Sequence, residues 1–137
     1  MRAIIAFLLL VAFSPGASAK CATQLFLVTG VALDSDGAPV SGALVGASWI
    51  DHSVPGGPAM SLTDRNGKYS IPVWFDTYSG HSLLWGDECD ETLSQVSVSA
   101  YTSTEYSLPL LVPISNAQQV TVPALKIEYP IRREPIW

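Results

Sequence analysis

Residues 61–73 read SLTDRNGKYSIPV. A short apolar-polar run enters Asp64-Arg65-Asn66-Gly67, and Tyr69, Ile71 and Val73 then alternate with Lys68, Ser70 and Pro72. Alternation at period two marks a strand with one buried face. Gly67 stands where the connection needs a positive φ, and Asn66 beside it is the next most tolerant residue. Asp64 is placed to accept a backbone N–H across the turn and hold its shape. The same positions invite a metal-binding reading, but an EF-hand loop needs alternate oxygen ligands and a distal Glu. Arg65 and Lys68 occupy the wrong places for that. The stretch reads as a turn between two strands with a structural acid, and Asp34-Ser35-Asp36-Gly37 has the same explanation.

Working outward, the alternation continues through Trp74 and Phe75. Pro72 lacks a donor, which predicts an edge position or a bulge. Residues 25–33 are apolar on both parities, as in a strand buried on both faces. Ala43, Val45, Ala47 and Trp49 share one parity, with Leu44 and Ile50 as exceptions on the other. Residues 51–59, carrying Pro55-Gly56-Gly57-Pro58, read as a loop. Residues 76–92 read as a second long loop that holds Cys89 and the acids Asp87, Glu88, Asp90 and Glu91. Val96, Val98 and Ala100 face inward, and a run around residues 107–112 follows. In residues 119–128 the apolar parity switches from Val120 and Val122 to Leu125 and Ile127, which a one-residue bulge at Pro123-Ala124 would reconcile. With about seven short strands and no amphipathic helix or repeat, the expectation is an all-β fold: a seven-stranded antiparallel Ig-like sandwich.

The first residues, MRAIIAFLLLVAFSPGASAK, have the form of a secretory signal over residues 1–19. Arg2 precedes an apolar run, Ser14-Pro15-Gly16 breaks it, and Ala17-Ser18-Ala19 supplies small residues for cleavage. The run is shorter than the roughly 30 Å of hydrocarbon requires of a spanning helix, so no stable membrane insertion is expected. Lys20 before Cys21 does not suit a lipobox. Cleavage would remove Arg2 and take the net charge from −5 to −6. An acidic chain without Lys/Arg clusters is a poor match for nucleic acid or anionic membrane. The remainder is long enough for one core. With export, periplasmic or extracellular, Cys21 and Cys89 are expected to form a disulfide; no CxxC and no neighbouring His supports a reactive thiol or a metal ligand.

Three segments together resemble a known family: VTGVALDSDGAPVSGALVGASWI (28–50), SLTDRNGKYSIPV (61–73) and VSVSAY (96–101). The pattern is similar to that of the carboxypeptidase regulatory-like domain, through Val28, Gly30, Asp34, Gly37, Pro39, Val40, Gly42, Ala43, Val45, Thr63, Asp64, Gly67 and Tyr69. The resemblance implies a transthyretin-like, seven-stranded sandwich over residues 20–128, followed by a tail at 129–137. It also implies a non-catalytic accessory or binding module of the cell envelope, whose partner would be another envelope protein or a glycan.

Enzymatic readings find little support in the residues. Intradiol dioxygenases share segments similar to those around Trp49 and Thr63-Asp64, but they hold iron with two tyrosines and two histidines. This chain has only His52 and His81, each alone in a Gly/Ser/Pro-rich stretch. Hydroxyisourate hydrolases end in a Tyr-Arg-Gly-Ser tail, unlike Tyr129 to Trp137 here. The acids at 87–91 are close enough to raise one another's pKa, which keeps open a metal-dependent or hydrolytic enzyme; a solvated acidic loop is the plainer reading. There is no nucleophile elbow with a basic partner. No catalytic residue, metal ligand or cofactor is therefore assigned. A third reading is an assembly subunit pairing through an edge strand, against which Pro72 and Pro123 argue on their own strands.

For binding, the expected contact residues are Tyr78, His81, Trp85, Asp87 and Glu88, aromatic and acidic groups in the longest loop. The competing reading is that Trp85 covers the sandwich end and Trp74 packs under that loop.

Overall fold

The structure, a computed structural model, describes residues 21, 23–51, 54–76, 78–84, 86–89, 93–114 and 119–132. Expectations about the signal at 1–19, His52, Trp85, Asp90, Glu91 and residues 133–137 of the tail fall outside them. Every regular element among the described residues is a strand.

One sheet is built on β1 (Thr23–Asp34). On one side it pairs antiparallel with β4 (Lys68–Asp76), from Thr23 opposite Asp76 to Val31 opposite Lys68. On the other side it pairs with β10 (Gln119–Thr121) and β11 (Leu125–Ile127), both parallel. The second sheet carries β3 (Val54–Leu62), β2 (Leu44–Asp51) and β7 (Gln95–Tyr101) side by side. Beyond β7 lie β9 (Leu110–Pro113) and β8 (Glu105–Tyr106), and β12 (Tyr129–Pro130) pairs with β8. A separate two-stranded sheet consists of β5 (Tyr78–Ser82) and β6 (Gly86–Cys89).

Alternation in the sequence explains the core. Tyr69, Ile71, Val73 and Phe75 of β4 are buried while Lys68, Ser70, Pro72, Trp74 and Asp76 are exposed. They meet Phe26, Val28 and Ala32 of β1, Ala43 just before β2 and, from the second sheet, Val45, Ala47, Val96, Val98 and Ala100 in one cluster. The expectation of a β1 buried on both faces is corrected: Leu25 and Leu27 face outward and are 41% and 36% exposed.

The turn at 64–67 forms as its chemistry dictates. Asp64 Oδ1 accepts from the backbone N–H groups of Asn66 at 2.8 Å and Lys68 at 2.9 Å, and Gly67 has φ +71°. Asp34 repeats the arrangement, accepting from Asp36 at 2.9 Å and Ala38 at 2.8 Å, with Gly37 at φ +85°. The strands flanking the 64–67 turn do not pair, however. β3 belongs to one sheet and β4 to the other, so the turn is a corner between sheets. Buried Thr63 closes that corner, its hydroxyl donating to the Val40 carbonyl at 2.6 Å and accepting from the Ala43 N–H at 2.9 Å.

Several sequence expectations are corrected. Most of residues 51–59 is strand, in β3, because an edge strand needs donors on one side only and tolerates proline there. The glycines of β3 are covered by an aromatic ring: Trp49 stands opposite Gly56, and a Cβ on Gly57 would fall 2.9 Å from Trp49 Cζ3. Residues 76–92 hold the β5–β6 hairpin. The parity switch at 122–125 carries the expected one-residue shift, since Thr29 pairs with Thr121 but Ala32 with Leu125; β10 and β11 lie one after the other along β1 with Val120, Val122, Leu125 and Ile127 all buried. Their parallel pairing corrects the all-antiparallel expectation. The ladder also continues past Glu128, since Tyr129 pairs opposite Tyr106 and Ile131 N–H donates to Thr104.

Candidate functional site

The five residues expected to make contact lie in one short segment, and the hairpin arranges four of them. Tyr78 stands opposite Cys89, Gly80 opposite Glu88, His81 opposite Asp87 and Ser82 opposite Gly86, with an irregularity between Tyr78 and Gly80. His81 and Glu88 are exposed. Trp85 lies outside the described residues. Among the described residues neither β5 nor β6 pairs with a main sheet.

What fixes the hairpin is covalent. Cys89, the last residue of β6, is bonded to Cys21, two residues before β1, with their Cα atoms 5.5 Å apart. A bond spanning 68 residues of sequence fits a non-reducing compartment. It ties the base of the hairpin to the start of β1, where Thr23 already pairs with Asp76 at the end of β4.

The connection between the strands carries exposed apolar residues that the sequence reading did not single out. Leu83 is 98% exposed and Leu84 is 87% exposed. The Leu84 N–H donates to Ser82 Oγ at 3.3 Å, and Gly86 takes φ +76°, so the turn is closed by small polar residues and a glycine. Two adjacent leucines at such a turn have no opposite face of a strand to enter. That was the available signal: an apolar pair flanked by turn formers, without alternation.

Trp74 is a separate feature. It is 56% exposed on the outer face of β4, directly opposite Leu25. More than half of its surface meets solvent, which corrects the reading that it packs under the long loop.

Chemically, the hairpin offers apolar contact and negative charge. Among the described residues, no three His, Cys, Asp or Glu side chains converge on a possible metal position. The clear pKa displacement lies elsewhere: burial pushes Tyr69, in the core, up to about 12.

No family model matches the chain, and no curated protein matches it. Among solved structures, it is similar to chlorocatechol 1,2-dioxygenase from Pseudomonas putida at TM-score 0.49 and 11% identity, covering 77% of this chain and 61% of that one. It is similar to 3-chlorocatechol 1,2-dioxygenase from Rhodococcus opacus 1CP at TM-score 0.43 and 12% identity, covering 86% and 66%. A 9R-lipoxygenase from Cyanothece PCC8801 aligns at TM-score 0.43 and 18% identity, covering 77% of this chain and 17% of the enzyme. The chain thus spans less than two thirds of the first of these proteins, and likenesses at these scores carry no functional argument.

Proposed function

We propose that this chain is an exported, non-catalytic accessory or binding module of the cell envelope, built on a carboxypeptidase regulatory-like domain. In this reading the β5–β6 hairpin is its contact element. The observation that carries it is the pair Leu83 and Leu84, 98% and 87% exposed at the tip of a hairpin whose base is held by a disulfide. Two leucines left in water forgo roughly 1.5–3 kcal/mol each that burial would return, so a partner that covers them gains directly. A tethered hairpin loses little further entropy on binding. Glu88 and the acids around it in sequence steer the approach of a partner with basic groups. The partner class is another envelope protein or a glycan, and the apolar tip favours a protein.

Affinity capture from envelope extract tests the proposal when the wild-type chain is compared with Leu84→Asp. A partner retained by the wild type and lost with Leu84→Asp, at unchanged melting temperature, supports it. Equal capture by both chains, or none by either, overturns it.

A further inference from the structure

An apolar row crosses the outer face of the second sheet. Residues directly opposite each other on neighbouring strands stand on one face. Leu62 stands opposite Leu44, Leu44 opposite Tyr101, Tyr101 opposite Tyr106 and Tyr106 opposite Tyr129. Ala100, next to Tyr101, is buried, so the row points away from the core. Beside it, Gly46 pairs with Met60 on one side and Ser99 on the other. Leu44, Met60 and Tyr101 wall a groove of about 410 Å³ whose floor is Gly46 and Ser99. The walls are 39%, 55% and 44% exposed. Ser99 donates to the Tyr101 hydroxyl at 3.0 Å and so fixes that wall. A Cβ added to Gly46 would meet nothing within 4 Å, so the floor has room for a side chain laid across it.

The described residues end beside this groove. Tyr129 and Pro130 pair with β8, and the Ile131 N–H donates to the Thr104 carbonyl at 2.8 Å. Ile131 and Arg132 then line a cleft with Tyr101 and Tyr106. Tyr101 is thus the shared wall between that cleft and the groove. Five residues follow Arg132 in the sequence, Arg133-Glu134-Pro135-Ile136-Trp137, charged first and apolar last. At about 3.3 Å per extended residue, Ile136 can reach roughly 13 Å from Arg132 and Trp137 roughly 16 Å. Pro135 biases Glu134 before it toward extended backbone, which favours that reach. From β12 across β8 and β7 to β2 there are three strand spacings, about 14 Å in all. The length suffices to bring the two apolar residues, and only those, over the groove.

We propose that the tail crosses Tyr101 and seats Ile136 and Trp137 in the groove of its own chain. The Trp137 ring lies over Gly46 and Ser99 between Leu44 and Met60, while Arg133 and Glu134 pass the Tyr101–Tyr106 cleft with their charges in water. Attachment decides the occupant. A segment this short meets the groove at an effective concentration in the millimolar range, so it fills the site ahead of free partners of similar chemistry. The contact is independent of the hairpin reading, since no residue of β5 or β6 lines the groove.

Proton–proton contacts measured by nuclear Overhauser spectroscopy on the disulfide-intact full chain test this. The Trp137 ring should contact the methyl groups of Leu44 and Met60, unchanged on dilution. The double change Ile136→Ser/Trp137→Ser empties the groove. It should shift the Gly46 and Ser99 amide signals and leave those of Leu25 and Trp74 in place. The free peptide Arg-Glu-Pro-Ile-Trp should then return the groove signals toward their wild-type positions, with a Kd at or below about 1 mM. Wild type, its groove already filled, should bind that peptide at least about fivefold more weakly. Gly46→Leu occupies the floor and should abolish the contact of Trp137 with Met60 at an unchanged melting temperature. Should Gly46→Leu fail to fold, Met60→Glu replaces it at an exposed wall, and the contact with Leu44 is read instead. Absence of the Trp137 contacts in wild type, or equal peptide binding by wild type and the double variant, overturns the proposal. Contacts found only between differently labelled copies also overturn it and give the groove to a neighbour's tail.

Discussion

The Tyr69 ring lies across the backbone of Gly30, its direct partner on the neighbouring strand. A Cβ on Gly30 would fall 2.7 Å from Tyr69 Cζ and closer still to the hydroxyl oxygen. The hydroxyl itself is buried and has no hydrogen-bond partner among the described residues. Gly30 is therefore small for reasons of packing, with no positive φ involved. Gly30→Ala should destabilise the fold by about 1–3 kcal/mol, the usual cost of overpacking. Urea unfolding measures it.

Tyr69→Phe should behave differently. It keeps the ring over Gly30 and removes a polar atom that lacks a partner, so stability should hold or rise by up to roughly 1 kcal/mol. A loss of more than that in the same unfolding experiment would mean that the hydroxyl is satisfied.

Burial pushes the Tyr69 phenol from 10 up to about 12, which sets an alkaline limit. Below pH 10 the phenol is protonated in both folded and unfolded chains and adds no slope. Between pH 10 and about 12 the unfolded chain releases the proton while the folded chain keeps it, so stability falls. At about 1.4 kcal/mol per pKa unit the loss reaches roughly 2–3 kcal/mol by pH 12. Tyr69→Phe should lack this component, as unfolding midpoints measured from pH 9 to 12 would show.

Thr63 links the 38–43 segment to the corner between sheets. Thr63→Val leaves the Ala43 N–H and one Val40 acceptor site without their partner, at a cost of about 1–3 kcal/mol. Thr63→Ser should recover most of it. Thermal melts of the two variants separate lost bonds from lost packing.

Replacing both cysteines by serine should cost roughly 4 kcal/mol in the chain-entropy account of a loop this long. The effect on dynamics is the sharper check. Amides of β5 and β6 should exchange faster, since no main-sheet ladder holds them, while β4 amides paired to β1 should change little.

The parts of this fold that were legible in sequence are those decided locally. β4 shows its buried face because Tyr69, Ile71, Val73 and Phe75 alternate with exposed residues, and the turns at Asp34 and Asp64 need only a carboxylate, nearby N–H groups and a glycine. Partners distant in sequence decide the rest. β3 is a strand because β2 pairs with it and Trp49 covers its glycines, neither of which Pro55-Gly56-Gly57-Pro58 announces. The parallel pairing of β10 and β11 depends on β1, about ninety residues earlier. At the candidate site, Tyr78, His81, Asp87 and Glu88 were legible as a group. Leu83 and Leu84 were less so: an apolar pair between turn formers is a weak signal, and the hairpin geometry is what exposes them.

The most direct test of the binding role places a photo-reactive benzoylphenylalanine at Leu84 in the expressed chain, with a second chain carrying it at Leu111. Leu111 is 66% exposed on β9, which pairs with β7 and not with the hairpin. After irradiation in the producing cells, adducts should form at position 84, with this chain or another protein, and be several-fold fewer at position 111. Equal labelling at the two positions, or none at 84, would contradict a hairpin-mediated contact.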